Sequence, residues 1–309
     1  SSADDSVSLN GKRVTALSEG VPGQVWIGTA DFGLCRYDAM ENRVRRVFTA
    51  GQLPGSVIVS LLTDLRGNLW IGTDVILACQ MAGGGELKVF SAETGGARVT
   101  ALGMTVEGDV WAGLFDGRLL FCGRGDGRPE ERWQSPTPIA ALVCDPSDGL
   151  WIGTQGGGIY RLPKDAMQAK IAPLAESIPG LSSRMVVALH RDQFGHLWVS
   201  TPSGLTRFDR HNGLAATYRH EPGDSGTVPG SRVSVICGDR SQGMWVAAEG
   251  GGISRLDLKE FGFPHYRVDD SSLPESRPGR SIWGFAEEAN GFVWVATESG
   301  LRCWHSDQG

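Results

Sequence analysis

The sequence contains no apolar run close to the roughly 18 residues that a membrane-spanning helix needs. It also has no excess of positive charge, since 29 Lys and Arg stand against 35 Asp and Glu, a net charge of −6. This balance excludes a broad phosphate-binding surface, so we expect no nucleic-acid partner. The six Cys form no CxxC motif, and the six His show no two-His metal spacing. We therefore expect neither a metal nor a cofactor.

Glycine, by contrast, is abundant, with 44 Gly among 309 residues, about twice the usual share. Combined with the scarcity of helix-forming runs, this composition indicates many tight turns between short strands. Ten Trp and eleven Phe supply enough apolar surface for a packed core.

A Trp-centred pentapeptide recurs seven times along the chain, as VWIGT at Val25–Thr29 and LWIGT at Leu150–Thr154. The seven anchor residues are Trp26, Trp70, Trp111, Trp151, Trp198, Trp245 and Trp294. Successive intervals of 44, 41, 40, 47, 47 and 49 residues fill the chain, which we expect to form a single domain over residues 1–309.

Three further columns repeat with the tryptophans. Twelve residues earlier stand β-branched residues: Val14, Ile58, Val99, Ile139, Val186, Val233 and Ile282. Nine residues earlier stand large apolar residues: Leu17, Leu61, Leu102, Leu142, Leu189, Ile236 and Phe285. Two residues later stand small residues: Gly28, Gly72, Gly113, Gly153, Ser200, Ala247 and Ala296. The two apolar columns are three residues apart, so we expect them to face opposite sides of a strand A that is buried on both faces.

Each repeat reads as four strands, A to D, with the Trp on strand B. Five repeats carry an acid six residues before the Trp, and all seven carry a Gly two or three residues before it, which predicts a tight A-to-B turn. Strands C and D follow, except that the seventh repeat ends after strand C. The sequence therefore predicts an all-β, seven-bladed propeller with four antiparallel strands per blade and an incomplete last blade.

The motif D-x-x-G-x-L-W-I-G-T-x-x-G-L-x-R-Y/F-D resembles the repeat of two-component regulator propellers. It matches best at Asp192–Asp209 and Asp145–Leu162, and the segment Asp224–Val233 resembles the linker that precedes each repeat in that family. Repeats two and three depart most, because Asp74–Ala78 lacks the turn Gly and Leu114 replaces Thr.

The resemblance implies a periplasmic, ligand-sensing domain of a bacterial transmembrane signalling receptor. In that family the output is a histidine kinase, a hybrid two-component system or a diguanylate cyclase. No output motif occurs in this sequence, so the enzyme is expected elsewhere in a longer protein and this segment is not expected to be one. The implied partners are a small-molecule ligand, the rest of the receptor chain and a second copy in a homodimer.

Arginines precede strand A in five repeats, at the predicted mouth of the central funnel: Arg13, Arg98, Arg184, Arg232 and Arg280. They predict a cationic ring that binds a carboxylate, phosphate or sulfated sugar. The alternative is that these side chains are solvated and bond nearby carbonyls.

The B-to-C turns add aromatic, acidic and amide side chains suited to sugar recognition. The candidates are Phe32, Phe115, Gln155, Glu249 and Glu298. The alternative is that these residues reflect ordinary turn chemistry. Trp283 stands where other repeats have Thr, Val, Ala or Ser, and is either a stacking platform or packing that closes blades seven and one.

Two other functional classes remain open. A protein–protein interaction propeller is the main alternative, although no repeat carries the Trp-Asp ending of WD repeats. A propeller lyase or glycosidase is the weaker one, because Tyr is scarce and the six His are scattered. We expect most of the cysteine thiols to be free and buried, because neighbouring blades pack about 10 Å apart, which is farther than a disulfide can span.

Overall fold

The structure is a computed structural model that describes residues 9, 12–49, 52–55, 57–123, 128–164, 174–176, 178–222, 224, 226–239, 241–249, 251–258, 265–266, 282–287, 292–297 and 300–305. They form seven antiparallel sheets of three or four strands, so the predicted seven-bladed all-β propeller is confirmed. Helix in this part of the chain is confined to a 3-10 turn at Ala82–Gly84 and one turn of α-helix, α1, at Ser91–Thr94.

Each sheet is one blade, with its strands in chain order. Blades 1 and 2 contain β1 (Val14–Glu19), β2 (Gln24–Thr29), β3 (Leu34–Asp38), β4 (Arg43–Phe48), β5 (Ile58–Thr63), β6 (Leu69–Thr73), β7 (Leu77–Gln80) and β8 (Leu87–Val89). Blades 3 and 4 contain β9 (Val99–Met104), β10 (Val110–Leu114), β11 (Arg118–Gly123), β12 (Glu130–Gln134), β13 (Ile139–Asp145), β14 (Gly149–Thr154), β15 (Gly158–Pro163) and β16 (Leu174–Glu176).

The remaining three blades continue this order. Blades 5 and 6 contain β17 (Ala188–Arg191), β18 (Leu197–Thr201), β19 (Gly204–Asp209), β20 (Leu214–Tyr218), β21 (Val233–Gly238), β22 (Gly243–Ala248), β23 (Gly252–Asp257) and β24 (His265–Tyr266). Blade 7 contains β25 (Ile282–Glu287), β26 (Phe292–Thr297) and β27 (Gly300–His305). The predicted incomplete last blade thus has three strands among the described residues, and the flanking segments 1–8 and 306–309 lie outside them.

The first strand of every blade lines the centre, where seven such strands contact one another in a closed ring. The ring closes between β25 and β1. At this junction Val14 of blade 1 packs in the same buried cluster as Ala296 of blade 7.

The column of small residues makes room for the next blade. A Cβ on Gly28 would lie 2.5 Å from Cγ2 of Ile58, and one on Gly113 would lie 2.4 Å from Cγ2 of Ile139. Each small residue therefore accepts the β-branched residue that starts the next blade, an interlock that also places Ala296 beside Val14 at the closure. The β-branched side chains of one blade fill the space left by the small residues of the blade before it. These two columns therefore set the spacing between neighbouring blades.

The expectation that the two apolar columns of strand A face opposite sides is wrong. Ile139 and Leu142 pack together against blade 3, and Ile282 and Phe285 pack together against blade 6. The reason is a β-bulge between the two columns, seen as the register shift between Ile139 and Ala141. An inserted residue reverses the side-chain alternation, so residues three apart share a face. Strand A is nevertheless buried on its other face as well, as Ala16 in the cluster between blades 1 and 2 shows.

All six cysteines are free, as expected, although only three of them are fully buried: Cys35, Cys79 and Cys122. Burial raises the pKa of Cys35 to about 11 and outweighs the opposing effect of the Arg46 charge. Burial likewise raises the pKa of Cys79 to about 12, so both thiols stay protonated at neutral pH.

Candidate functional site at the propeller rim

The rim is the end of the propeller where the segment before strand A meets the B-to-C turn. A backbone hydrogen bond joins the two at a constant sequence offset. Ala30 N donates to Arg13 O at 3.0 Å, Phe115 N to Arg98 O at 2.9 Å, and Glu249 N to Arg232 O at 3.0 Å. The predicted rim arginines and turn residues therefore lie side by side in the same blades.

The rim arginines differ in their pairing. The side chains of Arg13, Arg98, Arg184 and Arg232 are all exposed. Arg232 Nη1 lies 3.4 Å from Glu249 of its own blade. The other three form no ion pair within the described part of the chain, and Arg280 lies outside it.

Arg184 departs from the pattern because it stands fourteen rather than thirteen residues before its Trp, so that Met185 occupies the position that Arg98 has in its repeat. The Arg184 carbonyl instead accepts bonds from Gly156 N at 3.2 Å and Gly158 N at 2.9 Å in blade 4. Arg184 is thus placed against the turn of the preceding blade, which the sequence did not indicate.

The two aromatic turn residues have different surroundings. Phe115 is 50% exposed next to Arg98, so its ring is open to solvent. Phe32 is half-buried, with Arg46 Cζ 3.3 Å and Lys12 Nζ 4.7 Å from its ring centroid. Phe32 thus serves as a platform for cations, whereas Phe115 is accessible for stacking.

The remaining predicted residues are spread around the rim. Gln155 is half-buried and bonds through its backbone N–H to Pro138 O at 2.8 Å. Glu249 is exposed, and Glu298 lies outside the described residues.

Trp283 is the bulged residue of strand A in blade 7, where the register shifts between Ile282 and Gly284. In blade 3 the bulged Thr100 donates to Ile139 O of the next blade at 2.6 Å. Trp283 replaces such a hydroxyl and is 43% exposed, so a large part of its indole faces solvent at the rim end of the inner strand.

The opposite end, which we call the turn face, is built from the A-to-B turns. In three blades the acid six residues before the Trp accepts the indole N–H across the turn, a contact that the column pattern alone did not predict. Trp198 Nε1 donates to Asp192 Oδ2 at 2.9 Å, and Trp245 Nε1 donates to Asp239 Oδ2 at 3.1 Å. Burial lowers the pKa of His190, on the inner strand beside this turn, to about 4, which leaves that imidazole neutral.

A cavity of about 400 Å³ opens on the turn face of blade 4, away from the rim. Its lining is Ser147, Asp148, Arg161, Pro163 and Lys164. The charges there are paired, since Asp148 contacts Arg210 and Lys164 Nζ lies 3.1 Å from Glu107. Among the described residues, no group of three or more His, Cys, Asp or Glu could hold a metal ion. No helix in the described ranges is long and apolar enough to cross a membrane.

No family model and no curated protein matches the sequence. Among solved structures, the chain is similar to the extracellular domain of the putative hybrid two component system BT3049 from B. thetaiotaomicron, with a TM-score of 0.80 and 19% identity. That match covers 100% of this chain and 41% of the other, so the chain spans less than half the length of that domain. The expected likeness to two-component receptor propellers is thus confirmed for the fold.

The fold by itself does not determine a function, because one fold hosts many unrelated activities. The chain is also similar to the computationally designed Ika8 protein, with a TM-score of 0.66, 15% identity, and coverage of 97% of this chain and 98% of that one. The function of this chain therefore depends on its side chains rather than on its fold.

Proposed function

We propose that this propeller is a periplasmic ligand-sensing domain of a bacterial transmembrane signalling receptor, and that an anionic ligand or acidic saccharide binds at its rim. The observation that carries the proposal is the set of exposed rim arginines without an ion-pair partner in the described chain: Arg13, Arg98 and Arg184. The chain as a whole carries a net charge of −6, so these residues reverse the local field.

The rim acids support this distribution of charge, because two of them are already paired. Asp116 lies 2.8 Å from Arg118, and Glu249 lies 3.4 Å from Arg232. Arg98 is next to Phe115, whose ring is half exposed, so a carboxylate or sulfate on a sugar has a cation and an apolar face side by side.

The ligand is found by a thermal-shift screen of acidic and neutral oligosaccharides, and the site is then tested by calorimetry. The double variant Arg98→Ala, Arg184→Ala is expected to weaken binding by about 1.5–3 kcal/mol per lost charged hydrogen bond. Arg66→Ala, on the turn face, is the matched control and is expected to bind normally. If Phe115→Ala abolishes binding while the double variant does not, the ligand is recognised by stacking on Phe115. The proposal that the rim arginines bind the ligand would then be wrong.

A second candidate, a protein-interaction propeller, is favoured by one observation on the turn face. Four turns there expose large apolar side chains: Val21 at 57%, Leu65 at 67%, Val106 at 53% and Phe194 at 51%. Three of them, Val21, Leu65 and Val106, lie on the consecutive blades 1, 2 and 3, and exposed apolar residues on neighbouring blades are typical of a contact surface. Sedimentation of the wild-type chain and of the double variant Leu65→Asp, Phe194→Asp tests this candidate. The wild type is expected to self-associate, and the double variant is expected to lose that association.

A further inference from the structure

Blade 1 holds two cations against one aromatic ring at the rim. Arg46, on β4, places Cζ 3.3 Å from the centroid of the Phe32 ring, and Lys12 places Nζ 4.7 Å from it. The Phe32 ring is itself held in place, because it packs against the buried cluster that contains Val14 and Cys35. Phe32 therefore holds both charges in a fixed position.

These cations have no compensating acid among the described residues, unlike two other cations of the rim. Arg118 of blade 3 pairs with Asp116, and Arg232 of blade 6 pairs with Glu249. In addition, Arg46 Nε is buried and has no hydrogen-bond partner in the described chain. A buried donor without an acceptor is costly, so the site is incomplete as it stands.

An oxyanion supplies what this site lacks. Its several oxygens accept bonds from the Arg46 guanidinium and the Lys12 ammonium together, and its charge neutralises two cations that otherwise repel each other. The Phe32 ring attracts both cations but provides neither an acceptor nor a negative charge.

We propose that Lys12, Phe32 and Arg46 form an oxyanion-binding subsite in blade 1 that takes a sulfate, phosphate or carboxylate group. The subsite rests on the proposed function for its biological meaning. It uses none of the residues that test that function, Arg98, Arg184 and Phe115.

The test is calorimetric titration of the whole chain with sodium sulfate, against sodium chloride at equal ionic strength. Arg46→Gln is expected to weaken sulfate binding about tenfold or more, because a charged hydrogen-bond donor is lost. The control is Arg45→Gln, the adjacent residue on β4, which is exposed and already 2.6 Å from Glu41. Affinity in this control is expected to stay within about twofold of the wild type.

Two further arms define the site and the ligand. Phe32→Leu keeps apolar bulk but removes the ring, and is expected to weaken sulfate binding by about three- to fivefold. Glucose 6-sulfate is compared with free sulfate and glucose. Tighter binding of the sugar sulfate supports a saccharide as the source of the oxyanion, and equal binding supports a free anion.

Absence of saturable sulfate binding to the wild type would overturn the subsite, as would equal weakening by Arg46→Gln and Arg45→Gln. Melting curves of each variant check folding, and Lys12→Gln tests the same site without altering Arg46. The subsite and the proposed function fail separately, since sulfate binding at blade 1 is expected to persist in Arg98→Ala, Arg184→Ala.

Discussion

The two ends of the propeller differ in how much one blade resembles the next. On the turn face, Asp64, Asp192 and Asp239 each accept the indole N–H of the Trp six residues later. On the rim, the backbone hydrogen bond is conserved between blades, while the side chains beside it change from Arg98 and Phe115 to Arg232 and Glu249. Contacts that recur from blade to blade stabilise the fold, whereas residues that occur in single blades are available for binding.

The largest expected effect tests this contrast with two tryptophans. Trp198 is fully buried on the repeated framework, and Trp283 is 43% exposed at the rim. Trp198→Ala is expected to lower the free energy of unfolding by about 3–5 kcal/mol, since it leaves a core cavity. Trp283→Ala is expected to cost under about 1 kcal/mol. Urea denaturation measures both, and a stable Trp198→Ala variant that loses ligand binding would contradict the assignment.

A smaller effect is expected from the turn acids. Asp64 Oδ2 accepts the indole N–H of Trp70 at 3.1 Å, and Oδ1 accepts the backbone N–H groups of Arg66 and Asn68, both at 2.9 Å. Asp64→Ala leaves these donors unpaired, at a cost of about 1–3 kcal/mol. Asp116→Ala, at the rim, is the control, because that side chain is exposed. Equal losses in thermal denaturation would remove the distinction between the two ends.

The pH dependence of stability provides a third test. Burial by itself raises the pKa of Asp239, but bonds from Arg255, Gly243 N–H and Ser241 outweigh it and hold the pKa below its ordinary value. The contribution of Asp239 is therefore complete above the unfolded pKa of about 3.9 and is lost as the pH falls through the folded pKa. Asp239→Asn is expected to reduce the slope of the unfolding free energy against pH, in the acid range, by at most about 1.4 kcal/mol per pH unit. Urea denaturation at a series of pH values between 5 and 2 measures this slope of the unfolding free energy. An unchanged slope in the variant would contradict the prediction.

The smallest effect is a gain in blade 3, which has Thr105 at the position where five other blades have an acid. Trp111 Nε1 is buried there without a partner among the described residues. Thr105→Asp is expected to raise the unfolding free energy by about 0.5–1.5 kcal/mol by giving the indole an acceptor. Thr105→Asn, with the same shape but no charge, separates hydrogen bonding from electrostatics. Destabilisation by both variants in calorimetric melts would show that this turn cannot adopt the geometry of its neighbours.

Much of the architecture could be predicted from the sequence because the repeat reports equivalent positions. The tryptophans, the small column and the β-branched column gave the number of blades and the buried strands. The bulge was not predicted, because a bulged residue such as Thr15 or Ala140 does not alter the constant spacing between the repeated columns. The same bulge places Trp283 at the rim, so its exposure was equally beyond the pattern.

The candidate site was predictable in its residues but not in their roles. Arg98 and Phe115 were identified as rim residues, and the structure places them next to each other. Phe32 was predicted as a stacking platform for a ligand, but Arg46 from another strand already lies against its ring. The Arg184 carbonyl bonds to the turn of the preceding blade, because Arg184 stands one residue earlier in its repeat than Arg98 does.

The sequence by itself determined the seven blades, the strand pattern and the buried columns, because burial and turn formation depend on the spacing of residues within one repeat. Only the tertiary structure decided which columns meet across blades, as Gly28 meets Ile58, and which rim cations remain without an acid, as Lys12 and Arg46 do. Those contacts join residues from separate strands and blades. A one-dimensional repeat shows that positions are equivalent, but it does not show which of them touch.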